Sequence, residues 1–509
     1  MTGLLSPAAL VLALTGCSGY DTATVKIDTR LRFQTIEAWE ATAKAWEFNK
    51  DTDRFDGSWL PIRDRILRGL IDEGGITRLR LELRSGAENP VDYWSLFRSG
   101  RIGNEQLRSH FYEKINDNAD PRTLNDAGVQ FSELDFRVEN FVLPAMRIAK
   151  KLGRPMDFTL CYVDFAWTDR KGTLSHARNP QEYAELIAAA YVHLRRKYDI
   201  VPSALEIILE PDNSDGWRGR QIGEAIVAVS RRLTEQGVTT PIIAPSVSVG
   251  RRAPDYFDEL NRVPGAAERV SVLSYHRYGG ILPDRTLQQI AGRAKSAGAR
   301  TAMLEFTHAT VDDLFDDLVG GNVSSWQKYG IAGPARGGGP QPPGNMMIVA
   351  DAGGKRARIG ILPASAPLAQ LFRSVRPGAV RIGATADRQD VGAVAFRNPG
   401  GGIAVSVKAD PGLVRRAQEA IWRHLGLRTP ALSSGGSHRV RIAGLPPGRY
   451  AVERSNADIG TNMRCRMVIG KGAVAVVVLR DGDLATLSER DADATAEMQP
   501  CPAEGDGWH

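Results

Sequence analysis

The chain has 509 residues, of which 42% are hydrophobic and 24% charged, with a formal net charge of +6. That length holds a full barrel plus an accessory domain, and the balance is that of an ordinary globular protein. Lys and Arg are spread along the chain with no dense basic tract, which argues against a nucleic-acid partner.

Leu4 to Leu14 is apolar but too short to span a bilayer. It ends in Leu14-Thr15-Gly16-Cys17, then Ser18-Gly19. Small residues before a cysteine, after an apolar segment, resemble a bacterial lipoprotein signal with Cys17 as the lipidated residue. No Lys or Arg precedes the stretch, a departure from a charged leader that a misassigned start codon would explain. Residues 1–22 are therefore expected to be signal and tether. The protein would be exported and lipid-anchored to the cell envelope, facing the periplasm or the cell surface, or secreted.

From Ile76 to about Trp326 strand-like and helix-like segments alternate, the signature of βαβ units and a parallel sheet. Arg32 to Ala38 reads as the first strand and Ile76 to Leu83 as the second. In the second, Leu79, Leu81 and Leu83 would face helices while Arg78, Arg80 and Glu82 face a lumen. Phe158 to Val163 follows the helical Val138 to Leu152, and Ala204 to Glu210 follows the amphipathic Pro180 to Tyr198. Pro241 to Ser246, Val270 to His276, Thr301 to Glu305 and Val323 to Tyr329 complete eight strands. The expected fold class is α/β, a (β/α)8 TIM barrel over residues 23–335.

Gly333 to Gly344 is a Gly/Pro-rich linker. Short β-rich segments follow (Val391–Phe396, Gly402–Val407, His438–Ile442, Tyr450–Arg454, Ala473–Leu479), with one helix-like insert at Gly412 to Leu425. A C-terminal β-sandwich over residues 345–488 is expected, joined by residues 23–30, with a polar tail at 489–509. Cys161 lies in an apolar run and reads as a buried free thiol. Cys465 and Cys501 could bridge in an exported protein. No spacing suggests a metal site, and no cofactor is expected.

Two glutamates end apolar runs: Glu210 before Pro211-Asp212-Asn213, and Glu305 before Phe306-Thr307-His308. Alternation would set Glu206, Ile208 and Glu210 on one face, and Thr301, Met303 and Glu305 on one face. A strand-end carboxylate is costly to bury unless paired or used. Two of them on one barrel face are the apparatus of glycoside hydrolysis. Structural uses remain open for each: Glu210 as a cap or salt bridge, Arg80 as a partner of Glu82 with Arg78 and Arg84 as rivals, His276 as a lumen histidine. Trp39, Trp217 and Trp326 could stack on sugar rings or pack in the core.

The order and spacing of several segments resemble clan A retaining glycoside hydrolases, most of all family 30, with family 39 as a relative. The segments are Gln34 to Trp39, Gly75 to Arg80, Leu209 to Asn213, Ser274 to Tyr278, Leu304 to Phe306 and Leu371 to Ala379. That resemblance implies Glu210 as acid/base and Glu305 as nucleophile. Arg80, Trp39, Asn213, Trp217, His276, Tyr278 and Trp326 would bind substrate, a β-linked carbohydrate, in a monomer. One position departs from the pattern: Leu209 stands where these enzymes place an asparagine that binds the sugar 2-hydroxyl. A carbohydrate-binding surface lipoprotein on a degenerate barrel is the alternative.

Overall fold

The computed structural model describes residues 21–335, 344–351, 356–409, 437–490 and 495–502. Cys17 and the insert at 412–425 lie outside them. Among the described residues, no helix is long and apolar enough to cross a membrane.

Eight parallel strands close a barrel: Ala38–Thr42, Arg78–Arg84, Asp157–Val163, Leu205–Glu206, Ile242–Val247, Val270–His276, Arg300–Glu305 and Val323–Pro334. Closure is made where Thr301 to Met303 pairs with Val323 to Trp326. Helices such as Pro180–Tyr198 and Gly219–Glu235 pack around it. The first of these has Pro at its opening turn, Arg195, Arg196 and Lys197 in its last turn, and Asp199 left-handed beyond it. Those signals start the helix, oppose its dipole and stop it. Ala204, Ile243, Val272, Ala302 and Leu304 fill the lower lumen as one apolar cluster. In the second strand Leu79, Leu81 and Leu83 join the core under the helices, while Arg80 reaches inward to Glu305.

The first strand differs from the sequence expectation. Residues Asp21–Thr35 belong to the side domain, pairing antiparallel with Val380–Ala386 and parallel with Ser437–Ala443. The barrel begins only at Ala38, after Ile36 exchanges hydrogen bonds with Gly378 and Ala379. A long β-rich run does not reveal where one sheet hands the chain to another.

The side domain is one nine-stranded sheet whose end strand, Ala475–Arg480, packs back against Ile403–Ala409 and Asp483–Glu489. Its interior is aliphatic, with Val405, Val407, Val440, Ile442, Val452 and Leu487 among its buried residues. Strands Asn345–Ala350 and Arg358–Ile361 extend the barrel sheet instead. Cys465 is joined to Cys501 by a disulfide, which holds the tail segment along Gly460–Ile469, and Cys161 is a buried free thiol.

The helix Ala366–Ser374, which overlaps the family-like segment Leu371 to Ala379, locks the two halves together. Phe372 stacks on Trp39 at 4.5 Å and packs on Trp326 at 5.9 Å. Gln370 donates to Glu453 O, Leu484 O and Thr486 Oγ1 across the sandwich. Replacing a fully packed aromatic leaves a cavity, so Phe372→Ala should cost about 3–5 kcal/mol, read as an earlier chemical-denaturation transition.

Candidate active site

Both strand-end glutamates face the upper lumen, but not by simple alternation. Met303 lies in the outer core while Ala302 and Leu304 line the lumen. Register shifts between Met303 and Glu305, so Glu305 turns inward after Leu304. Likewise Ile208 joins Ile207 in the outer core. Regular pairing ends at Glu206, and Glu210 adopts φ +49°, a left-handed conformation rare outside glycine. The expected faces for Ile208 and Met303 are therefore wrong: the strand ends break period just before the carboxylates. Strained backbone of this kind is held only where surroundings over-determine it. Here Asp212 accepts from the amides of Ser248 and Val249 at 2.7 and 3.1 Å, and Glu210 N donates to Ser246 O.

One carboxylate oxygen of Glu210, one of Glu305 and a ring nitrogen of His276 lie within 4.8 Å of one another. All three residues are buried. The two carboxylates have different company. Glu305 accepts from Arg80, which is fully buried, and from Tyr278 Oη at 3.0 Å. Arg80 also donates to Thr42 Oγ1 at 2.9 Å and Leu304 O at 3.3 Å. Its rivals are engaged elsewhere, Arg78 with Asp157 and Glu40 at the lower mouth and Arg84 with Glu133. Glu210 accepts from Asn213 Nδ2 at 2.8 Å and shares a proton position with His276 Nδ1 at 2.9 Å.

Burial pushes the Glu210 carboxyl up to about 7. Donation from Asn213 and the charge of Arg80 oppose that rise, while Asp212 and Glu82 add to it. Burial also pulls the His276 imidazole down, despite Glu305 nearby. A neutral histidine beside Glu210 brings no cation that would discharge its proton.

Trp39, Trp217 and Trp326 are not at the site. Each is at most 1% exposed. Trp39 donates to Val375 O under the interdomain helix, Trp217 to Asp164, and Trp326 to Asp317. They fill core and carry a satisfied indole N–H, so they offer no ring face to a sugar. Trp167 is instead 49% exposed, edge-on to Phe111 and Tyr112, with Arg108 over its ring. Its signal was a tryptophan just past the third strand, in Asp164-Phe165-Ala166-Trp167. Glu82, Lys44 and Tyr329 were also missed as a group. Lys44 Nζ lies 3.3 Å from Tyr329 Oη, and Glu82 sits 3.7 Å from Arg80. Leu209 is buried among Tyr112, Cys161 and Val163, so the position beside Glu210 is an apolar wall.

No protein-family model and no curated protein matches the chain. Solved structures do. The catalytic domain of the family 30 xylanase C from Talaromyces cellulolyticus superposes with a TM-score of 0.62 at 14% identity, covering 92% of this chain and 100% of that one. An endo-β-1,6-glucanase gives 0.57 at 13% identity, with 94% and 96% covered. A family 39 enzyme from Xanthomonas axonopodis gives 0.53 at 13%, with 93% and 98% covered. The chain thus has the fold of these proteins, barrel and β-domain together.

A glutamate ionises near 4.5 when free and near 7 at position 210. Between those values the folded chain holds a proton that the unfolded chain has lost, so stability falls as pH rises through that window. Glu210→Gln removes the penalty. It should stabilise the protein by about 3 kcal/mol at pH 8 and by almost nothing at pH 4, measured by denaturant unfolding at both.

Proposed function

We propose that the protein is a retaining glycoside hydrolase that cleaves β-glycosidic bonds of an oligo- or polysaccharide, with Glu210 as acid/base and Glu305 as nucleophile. The observation that carries this is the carboxylate pair, with oxygens within 4.8 Å, of which only Glu305 is bonded to a buried arginine. Retaining enzymes hold their carboxyl groups about 5 Å apart, whereas inverting ones leave room for a water between them. The structural likenesses to family 30 and family 39 enzymes support the same chemistry.

In the first step Glu210, with its proton affinity raised by burial, would give its proton to the leaving oxygen. Glu305 would attack the anomeric carbon and form a glycosyl ester, oriented by Tyr278 and Arg80. Glu210, now ionised, would take a proton from the incoming water as the ester is hydrolysed, and so return to its acid form. Asn213 holds Glu210 rather than pointing to a sugar, so its proposed role is to position the acid. Leu209 gives the alternative its footing. An apolar side chain cannot bind a 2-hydroxyl, whose contacts contribute several kcal/mol in the transition state. A barrel that binds carbohydrate without cleaving it is therefore the second reading.

The division of labour predicts distinct rescues. Glu305→Ala should lose several powers of ten in rate, with external azide restoring turnover and giving an inverted product. Glu210→Ala should keep glycosylation by substrates with good leaving groups, with azide yielding a retained product. A 2-fluoro sugar should label Glu305 in the wild type. Absence of labelling and of hydrolysis on every β-glycoside tried would transfer the case to the binding protein.

We also propose export and lipid anchoring through Cys17. Its support is the apolar segment before it and the Cys465–Cys501 disulfide, a bond of oxidising compartments. Expressed with its leader in a bacterial host, the wild type should partition with membranes, and Cys17→Ser should move it to the soluble fraction.

A further inference from the structure

Beside the barrel, away from the paired glutamates, three acidic side chains converge, and a fourth lies near them. Glu88 follows the second strand, Asp117 lies in the long loop after it, and Glu182 and Glu185 lie one turn apart on the helix Pro180–Tyr198. One carboxylate oxygen from each of Glu88, Asp117 and Glu182 lies within 4.8 Å of the others. Glu185 lies near enough to feel the charge of all three. Asn116 Nδ2 reaches Glu182 Oε1 at 3.4 Å, which brings its amide into the same group.

Clustering alone would mean little. The second observation is that this group is left with unused acceptors. Glu88 Oε1, Asn116 Oδ1, Asp117 Oδ1, Glu182 Oε2 and Glu185 Oε1 are buried without a hydrogen-bond partner. Glu88 and Glu185 are only 3% and 4% exposed. Buried acceptor oxygens without donors are strongly disfavoured, and a cluster of carboxylates that carries them calls for a shared positive partner. His176 bonds Glu88 Oε2 at 2.7 Å, and the charge of Arg232 acts on Glu185. Neither donates to the five free oxygens.

We propose that Glu88, Asn116, Asp117 and Glu182 bind one calcium ion, with the carboxyl of Glu185 adding negative charge nearby. Every donor is a hard oxygen, carboxylate or amide, with no thiolate or imidazole in the inner set. This is the choice of calcium, which takes six to eight oxygens in flexible geometry, over zinc. The supporting shell is in place. Glu88 is oriented by His176, whose Nδ1 is bonded to Tyr162 Oη at 2.6 Å, and a carboxylate fixed through its second oxygen is typical around bound metals. Asp117 Oδ2 accepts from Asn118 Nδ2 at 2.7 Å, which leaves Oδ1 for the ion. Bound there, calcium would tie the loop after the second strand to the helix after the third, beside the cleft.

The test uses the full-length protein, stripped with EDTA and dialysed. Calcium chloride titrated in a calorimeter should bind at one ion per chain, and saturating calcium should raise Tm by about 2 °C or more. Glu182→Gln and Asp117→Asn, each folded by circular dichroism, should bind calcium at least about tenfold more weakly and lose that rise. No heat of binding and no calcium-dependent Tm in the wild type would overturn the site. So would variants that bind calcium as tightly as the wild type. Tighter binding of magnesium than calcium would overturn the choice of ion.

Discussion

The buried pair of Arg80 and Glu305 is the constraint around which the upper barrel is arranged. A guanidinium with no exposure cannot remain in a barrel lumen unless its charge and its N–H groups are met. Glu305, Thr42 and the Leu304 carbonyl accept from its terminal N–H groups across the lumen, and Glu82 on its own strand adds a second carboxylate at 3.7 Å. Three strands are thereby fixed in height relative to one another at their carboxyl ends. The register break before Glu305 is part of the same arrangement, because a strictly alternating strand would turn that carboxylate into the helical layer. Removing either partner would leave an uncompensated charge in the lumen, so the pair binds stability and chemistry together.

The second carboxylate is governed by the opposite physics. Glu210 has no bonded cation, only an amide donor, a neutral imidazole and burial. Two carboxyl groups of the same kind, a few ångströms apart, thus receive different environments from the strands that carry them. The left-handed turn at Glu210 and the carboxylate of Asp212 beneath it fix that environment in place. The Pro211-Asp212-Asn213 sequence is legible as this device: proline starts the turn, aspartate anchors it to the fifth strand, and asparagine reaches back to the acid.

Much of the architecture could be read from periodicity. The helix Pro180–Tyr198 and the strand Val270–His276 have the bounds that their patterns suggested. Strand alternation placed Arg80 and Glu82 inward. What failed did so where local pattern and tertiary context part. Ile208 and Met303 were expected on the inward faces with the glutamates, yet the strand ends break period just before the carboxylates and leave both in the outer core. Trp39 and Trp326 looked like sugar platforms because they lie on barrel strands. A helix more than 300 residues downstream of Trp39 in sequence claims both rings, and no local window contains it. Trp167 was passed over for the converse reason: exposure of a loop aromatic depends on neighbours, Phe111 and Tyr112, that come from another loop. The acidic group around Glu88 was invisible because its members are contributed by three separate segments.

The strand Asp21–Thr35 carries a consequence for how the protein is made. Val25 takes its partners from Ala386 and Ile442, so the first strand to emerge in synthesis is an inner strand of the last unit to be completed. The barrel lies between them in the chain. Until the C-terminal strands arrive, both edges of this segment, and apolar residues such as Val25 and Ile27, have nothing to pair with. The side domain therefore cannot be completed until its C-terminal strands have been made. A chain cut after the barrel would expose that strand's unpaired edges, which makes truncation a route to aggregation rather than to a smaller protein.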